Sequence, residues 1–189
     1  MYKIFEVSDK IRVSPDKFGM KLEDAIKNSL EELLEGSIKK NLGVILSVIS
    51  VEKVGEGIIL PGDGALYYQV NFKILTYIPE QHELVKGEVI DVTEFGVFVR
   101  MGAVDGMIHV SQLMDDFVSY DPKSMMFTGK KTHRKVKEKS QVLARIISVS
   151  MADSQYKIGL TTRQTGLGAL DWQVKEEKKS PAAEEKPKK

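Results

Sequence analysis

Residues 94–113 read EFGVFVRMGAVDGMIHVSQL. Two phenylalanines three apart sit in a valine-rich run, glycines interrupt it at Gly102 and Gly106, and Ile108–His109 resumes it. Side chains alternate along a strand, so residues three apart normally point to opposite faces. Phe95 and Phe98 share a face only if the chain kinks between them, and Gly96 is the residue that permits a bulge there. Val97 and Val99 then fill an interior, while His109 on the next strand points opposite to Ile108 and Val110. Two aromatic rings and an imidazole on neighbouring strands make a platform for unpaired bases. Such stacking is worth about 1–3 kcal/mol per base and tolerates any sequence. A lone phenylalanine reads more simply as core. The constellation reads as a binding face, with Arg100 and Arg145 adding charge at its edge.

The flanking sequence fits that reading. Short strands are expected at about 84–93, 95–101, 106–110, 141–150 and 156–161, separated by glycine and polar turns, which suggests a small barrel of the OB type. Residues 114–139 interrupt it and are too long for an ordinary hairpin loop. Within them, 130–139 (KKTHRKVKEK) holds six Lys or Arg against one Glu. Its bland reading is a solvated insertion; its functional reading is a phosphate contact through Lys130 and Lys131 beside the platform. A helical segment is expected at 167–174. The tail 173–189 is Lys, Glu, Ala and Pro with no apolar anchor, and reads as disordered.

The first half has a different texture. Residues 2–13 form an extended segment ending near Pro15. Leu22, Ala25, Ile26, Leu30, Leu33 and Leu34 recur at helical steps, with Glu23 and Asp24 in the first turn and Gly36 as a stop. Residues 43–51 (GVILSVISV) are apolar on both faces, which predicts a central strand. Residues 67–78 alternate, with Tyr68, Val70, Phe72, Ile74 and Ile78 on one face. GEGIILPGDG between them reads as a short apolar piece, with Pro61–Gly62–Asp63–Gly64 as an exposed turn. The fold class is therefore α+β: a helix on a small antiparallel sheet at 1–82, then an OB-type barrel at 83–172.

Composition narrows the classes. The chain has 189 residues, 42% of them hydrophobic, and no cysteine, which excludes disulfides and thiolate metal sites. No stretch approaches the roughly 20 apolar residues of a membrane span, and MYKIFEVSDKIRV lacks the pattern of a signal peptide. A cytoplasmic protein without membrane contact is expected. Net charge is −2 over 1–86, +1 over 87–172 and +2 over the tail, so no region binds nucleic acid by bulk charge.

GEVIDVTEFGVFVRMG…DGMIHVSQL resembles the RNA-binding OB-fold first named for ribosomal protein S-one, over about 84–161. In that family the two strand phenylalanines and the histidine contact RNA, which implies the role for Phe95, Phe98 and His109. The family often adds an aspartate and an arginine late in the barrel; Ser150 and Lys157 stand there in this chain. MYKIFEVSDKIRV, PGDGALYYQVNF, MDDFVSYDP and LTTRQTGLGALDW together resemble the RNA polymerase stalk subunits, the family of the archaeal E-prime subunit and its eukaryotic polymerase II equivalent. That resemblance implies a ribonucleoprotein-like first domain, heterodimerisation with the small helical F subunit of RNA polymerase, and docking on the polymerase core by the loop at Gly62, Asp63 and Gly64. It also implies single-stranded nascent RNA as the ligand of the barrel. The sheet edge near 43–60 and the domain junction are where the small helical partner is expected.

No catalytic site, cofactor or metal is expected. His82, His109 and His133 lack ligand spacing. Asp115, Asp116 and Asp121 suit a divalent ion of a nuclease, but read more simply as a turn-forming acidic loop. Gly129–Lys130–Lys131–Thr132 lacks the glycine and the preceding strand of a phosphate loop. The rival function is a free-standing RNA-binding protein of translation or RNA decay.

Overall fold

In the computed structural model, which describes residues 1–152 and 155–172, the chain divides into units at Pro79/Glu80, slightly ahead of the boundary expected at 82/83. The tail at 173–189 lies outside the described residues. The first unit runs β1 (Tyr2–Val13), α1 (Leu22–Leu34), β2 (Ile38–Lys39), β3 (Gly43–Ile59) and β4 (Leu66–Tyr77). Its antiparallel sheet has the order β1-β4-β3-β2. Helix α1 packs Ala25, Ile26 and Leu30 against Ile11, Val13, Val70, Phe72 and Ile74 of the sheet. Leu34 is half-buried, but Leu22 and Leu33 are exposed, so the apolar stripe is narrower than the spacing predicts. Gly36 adopts φ 74° after the helix, where a β-carbon is unfavourable, and its amide turns to the Ile45 carbonyl.

Strand β3 corrects the sequence reading. It continues through GEGII, so the segment expected as a separate short apolar piece belongs to the strand, and only Leu60–Ala65 turns. Its pairing with β4 shifts between Ile45 and Ser47, Val48 and Ser50, Val51 and Lys53, and Val54 and Gly57. Each irregularity adds residues on β3 and re-aims the side chains. Ile45, Val48, Val51 and Val54 therefore all reach the core, at a spacing of three rather than two. That spacing is why the run looks apolar on both faces.

The second unit is the barrel: β5 (Leu84–Thr93), β6 (Gly96–Arg100), β7 (Asp105–His109), β11 (Gln141–Ala152) and β12 (Gln155–Thr161). The strand order is β12-β7-β6-β5-β11, and β11 pairs with β12 to close it. Only β7–β12 is parallel among these pairs. Val89, Val97, Val99, Ile108, Ala144, Ile146 and Leu160 fill the interior. The insertion is itself folded as a three-stranded antiparallel sheet of β8 (Val118–Asp121), β9 (Met126–Gly129) and β10 (Lys135–Lys137). Phe127 and Val136 join the barrel's core. The segment expected as helix at 167–174 begins instead as β13 (Gly168–Ala169), paired with β11, and turns helical at Leu170. Trp172 then anchors the insertion: its Nε1 donates to the Lys135 carbonyl at 3.1 Å, and Arg134 lies 5.2 Å from its ring centroid.

The bulge expected at Gly96 is not there. Strands β6 and β7 run in regular register from Gly96↔His109 to Arg100↔Asp105, and register shifts of this sheet fall in β5, between Val89 and Asp91, and in β11, between Ile146 and Ser148. Gly96 serves close approach instead: a β-carbon there would collide with the Ile108 carbonyl and press on the His109 Cα. Gly96→Ala is therefore expected to destabilise the barrel by about 1–3 kcal/mol through forced backbone shifts. A urea titration checks this, and an unchanged unfolding midpoint would contradict the close-approach argument.

Candidate nucleic-acid interface

Regular alternation decides which side chains leave the barrel. With Val97, Val99 and Ile108 turned inward, Phe98 goes outward, opposite Met107, and His109 stands opposite Gly96 on the same outer face. Phe98 and His109 line one open groove of about 700 Å³ with Met107, Tyr156, Lys157 and Ile147. Phe98 is half-buried and His109 is exposed. Neither is sequestered in the interior.

His109 is held rather than loose. It ends β7 and caps the short turn Val110–Gln112, where its Nδ1 accepts from the Ser111 amide at 3.3 Å and lies 2.8 Å from the Ser111 hydroxyl. With Nδ1 accepting from that amide, the neutral ring carries its proton on Nε2, as a donor free for a ligand. Phe95 is 62% exposed but lies before β6, in the hairpin turn, where its carbonyl accepts from the Val110 amide at 2.9 Å. It stands at the end of the platform, not in the row that Phe98 and His109 share.

The basic candidates separate. Lys157 lines the groove, and its Cα partner across β11–β12 is Ser150, so the two face each other directly. Arg100 bonds Asp105 at 3.3 Å and faces a smaller hollow with Lys86, Glu88 and Gln141. Arg145 pairs across the sheet with Leu84 and Thr161, and its Nε is shielded without a hydrogen-bond partner among the described residues. It does not line the groove among those residues. Lys130 and Lys131 stand on the insertion, after β9. Tyr156 is the residue the sequence reading missed. Burial pushes its phenol up, so the groove wall keeps a neutral O–H.

Three aspartates each have a structural partner. Asp115 binds Arg163 at 2.6 Å, Asp116 accepts from the Lys131 and Thr132 amides at 2.8 Å, and Asp121 accepts from the Lys123 amide at 3.0 Å. Asp116 is held below the usual carboxylate range chiefly by the Thr132 amide. No group of three metal-ligating side chains occurs among the described residues.

The chain is similar to DNA-directed RNA polymerase subunit Rpo7 of Saccharolobus solfataricus, at 37% identity over 91% of this chain and 97% of that protein. The chain belongs to the Rpo7 family of RNA polymerase subunits. The Sulfolobus acidocaldarius Rpo7 is 35% identical over 91% of this chain and 94% of its own length. RNA polymerase II subunit RPB7 of Saccharomyces cerevisiae is 26% identical over 90% of this chain and 100% of its own. Residues 8–64 match the family described as "SHS2 domain found in N terminus of Rpb7p/Rpc25p/MJ0397", and residues 78–159 match the S1 RNA binding domain. The first match covers the helix-on-sheet unit up to its turn, and the second covers the barrel with its insertion. No helix among the described residues is long and apolar enough to cross a membrane.

In this Rpo7-family chain the turn at Gly62, Asp63 and Gly64 is tightly braced. Arg12 of β1 donates to Asp63 from Nε and Nη2, both at 2.9 Å, Tyr67 donates its hydroxyl at 2.7 Å, and the Ala65 amide donates at 3.1 Å. The Arg12 guanidinium and then the Tyr67 phenol hold the Asp63 carboxyl well below the usual carboxylate range. A depressed folded-state value stabilises the fold above the unfolded pKa of about 3.9 and loses that contribution as pH falls. The urea midpoint of the native chain should therefore exceed that of Asp63→Asn by a constant margin above about pH 5, and the margin should shrink below about pH 4. A margin independent of pH across that range would show that the carboxylate charge is not what braces the turn.

Proposed function

We propose that this chain is a non-catalytic stalk subunit of an archaeal DNA-directed RNA polymerase. It docks on the core enzyme near the clamp through its first domain, as a heterodimer with the small helical F subunit of that enzyme. Its barrel binds nascent single-stranded RNA. The observation that carries the RNA half is the outward placement of Phe98 and His109 in one groove with Tyr156 and Lys157, while their strand neighbours Val97, Val99 and Ile108 fill the interior. Flat groups exposed on a closed barrel suit bases, and a nearby ammonium suits the linking phosphates. Stacking reads little base identity, so binding is weakly selective. The family membership supports the polymerase half.

Two features of the first unit support the docking reading. The bracing of Asp63 by Arg12 and Tyr67 neutralises the turn locally, so it offers a core enzyme shape and backbone groups at Gly62 and Gly64. Strand β2 covers β3 only at Gly43 and Val44. From Ile49 to Ile59 no strand pairs the outer edge of β3 among the described residues, which suits the heterodimer partner.

The test is the double variant Phe98→Ala with His109→Ala. Its affinity for a labelled single-stranded oligoribonucleotide should fall about tenfold or more, given the stacking energy of a single base. Copurification with tagged polymerase should stay intact. An unchanged RNA affinity would remove the platform assignment. RNA binding without any polymerase association would favour the free-standing RNA-binding protein.

A further inference from the structure

A second recess, of about 500 Å³, borders the first, lined by Val110, Ser111, Met114, Phe117, Lys131 and Arg163 together with Asp115 and Asp116. The two hollows adjoin along the chain at His109–Gln112. Ser111 lines the second, and its hydroxyl lies 2.8 Å from the Nδ1 of His109, which lines the first. Val110 also lines the second, and its amide holds the turn that carries the exposed ring of Phe95.

Phe117 is 72% exposed, the most exposed large apolar side chain among the described residues. Its backbone is nonetheless fixed. Its amide donates to Asp116 at 2.6 Å, and its carbonyl accepts from the Lys130 amide at 2.8 Å. The insertion had a core to bury a ring in, since Phe127 is 1% exposed. An aromatic ring presented to solvent on a fixed backbone loses little entropy when a flat ligand lands on it.

The charges around it are sorted. Asp116 is engaged by loop amides and the Thr132 hydroxyl. Asp115 accepts from Nε and Nη2 of Arg163, at 3.0 and 2.6 Å, which orients the guanidinium and leaves further N–H groups uncommitted. Lys131 forms no ion pair among the described residues. The recess therefore offers one ring, one ammonium and one oriented guanidinium, beside the run 130–139 with six Lys or Arg against one Glu. A protein partner would find one exposed ring among charges here. A nucleotide strand would find a stacking surface with cations at its margin.

We infer that the RNA path does not end at His109 but continues past Ser111 into this recess, where a base stacks on Phe117 and the backbone phosphates meet Lys131 and Arg163. The inference rests on the reading of the barrel face as an RNA site. Asp115 acts through Arg163 as a positioning residue.

The experiment measures binding of the full chain to fluorescein-labelled oligouridylates of about 4 and about 12 nucleotides, within the range of OB-fold site sizes. Phe117→Ala should weaken the long oligomer about tenfold and the short one less than about twofold, and Phe117→Tyr should restore the long one. Lys131→Gln should reduce the slope of log K against log salt by about 0.7 for the long oligomer only. Equal weakening of both lengths by Phe117→Ala, or no weakening of the long one, overturns the inference. Loss of polymerase copurification with RNA affinity intact overturns it in favour of a protein occupant. Phe98→Ala should weaken both lengths. If it weakens neither, the barrel-face reading falls and the continuation falls with it; if it weakens both while Phe117→Ala shows no dependence on length, the barrel-face reading stands and the continuation alone falls.

Discussion

Gly96 lies against the Ile108–His109 peptide with no room for a β-carbon. That close approach locks β6 to β7 in one register, Gly96 opposite His109 and Val97 opposite Ile108. Everything that makes the second unit a candidate RNA binder follows from the register. Alternation sends Val97, Val99 and Ile108 inward and leaves Phe98, Met107 and His109 outside. A slip of one residue would exchange the two sets, burying an imidazole and a phenylalanine and exposing three aliphatic side chains. The cost of that exchange in lost apolar burial is what fixes the face. Function and core packing are two sides of one strand pair, and neither can move without the other.

The first unit solves a different problem. Its longest strand must stay paired with β4 while curving over one helix, and it does so by repeated irregularities, so that Ile45, Val48, Val51 and Val54 all turn toward α1 or the core beside it. The same curvature brings the turn after β3 within reach of β1, where Arg12 closes on Asp63. The polar groups of that turn find partners within the unit. The barrel's outer groove is the reverse: Phe98 and His109 open onto it while Val97, Val99 and Ile108 turn into the core.

Several of these features were legible in the sequence, for identifiable reasons. The alternation of residues 67–78 and the helical spacing around Ala25, Ile26 and Leu30 carry strong periods, and both elements formed as expected. The motif around Phe95–His109 located the barrel, and the structure sets Phe98 and His109 on its outer face. What failed were inferences that needed the pairing partner. A period of three in β3 looks like a doubly buried strand until the register shifts are seen. Gly96 looked like a bulge because glycine marks both bulges and close approaches, and only the neighbouring strand distinguishes them. Arg145 was expected at the platform's edge, but strand order sets it beside Leu84 and Thr161, away from the residues that line the groove. Tyr156 and Phe117 were overlooked because a single aromatic in a short strand or a loop has no local pattern to betray its direction.

Net charge misleads about the barrel in a related way. The second unit is nearly neutral by residue count, which alone argues against a nucleic-acid ligand. The count treats every charge as equally available. At physiological salt, screening confines surface electrostatics to about 8 Å, so what a strand of phosphates feels is the arrangement within that distance. Asp116 and Asp121 direct their oxygens into backbone amides and hydroxyls, and Asp115, though exposed, turns one oxygen to the Arg163 guanidinium. Lys131 and Lys157 stand at the two hollows with their ammonium groups open to solvent. Where acids serve as internal braces and bases are left at the rims, a neutral domain can still hold an anion, because contact geometry rather than the sum of charges sets the local field.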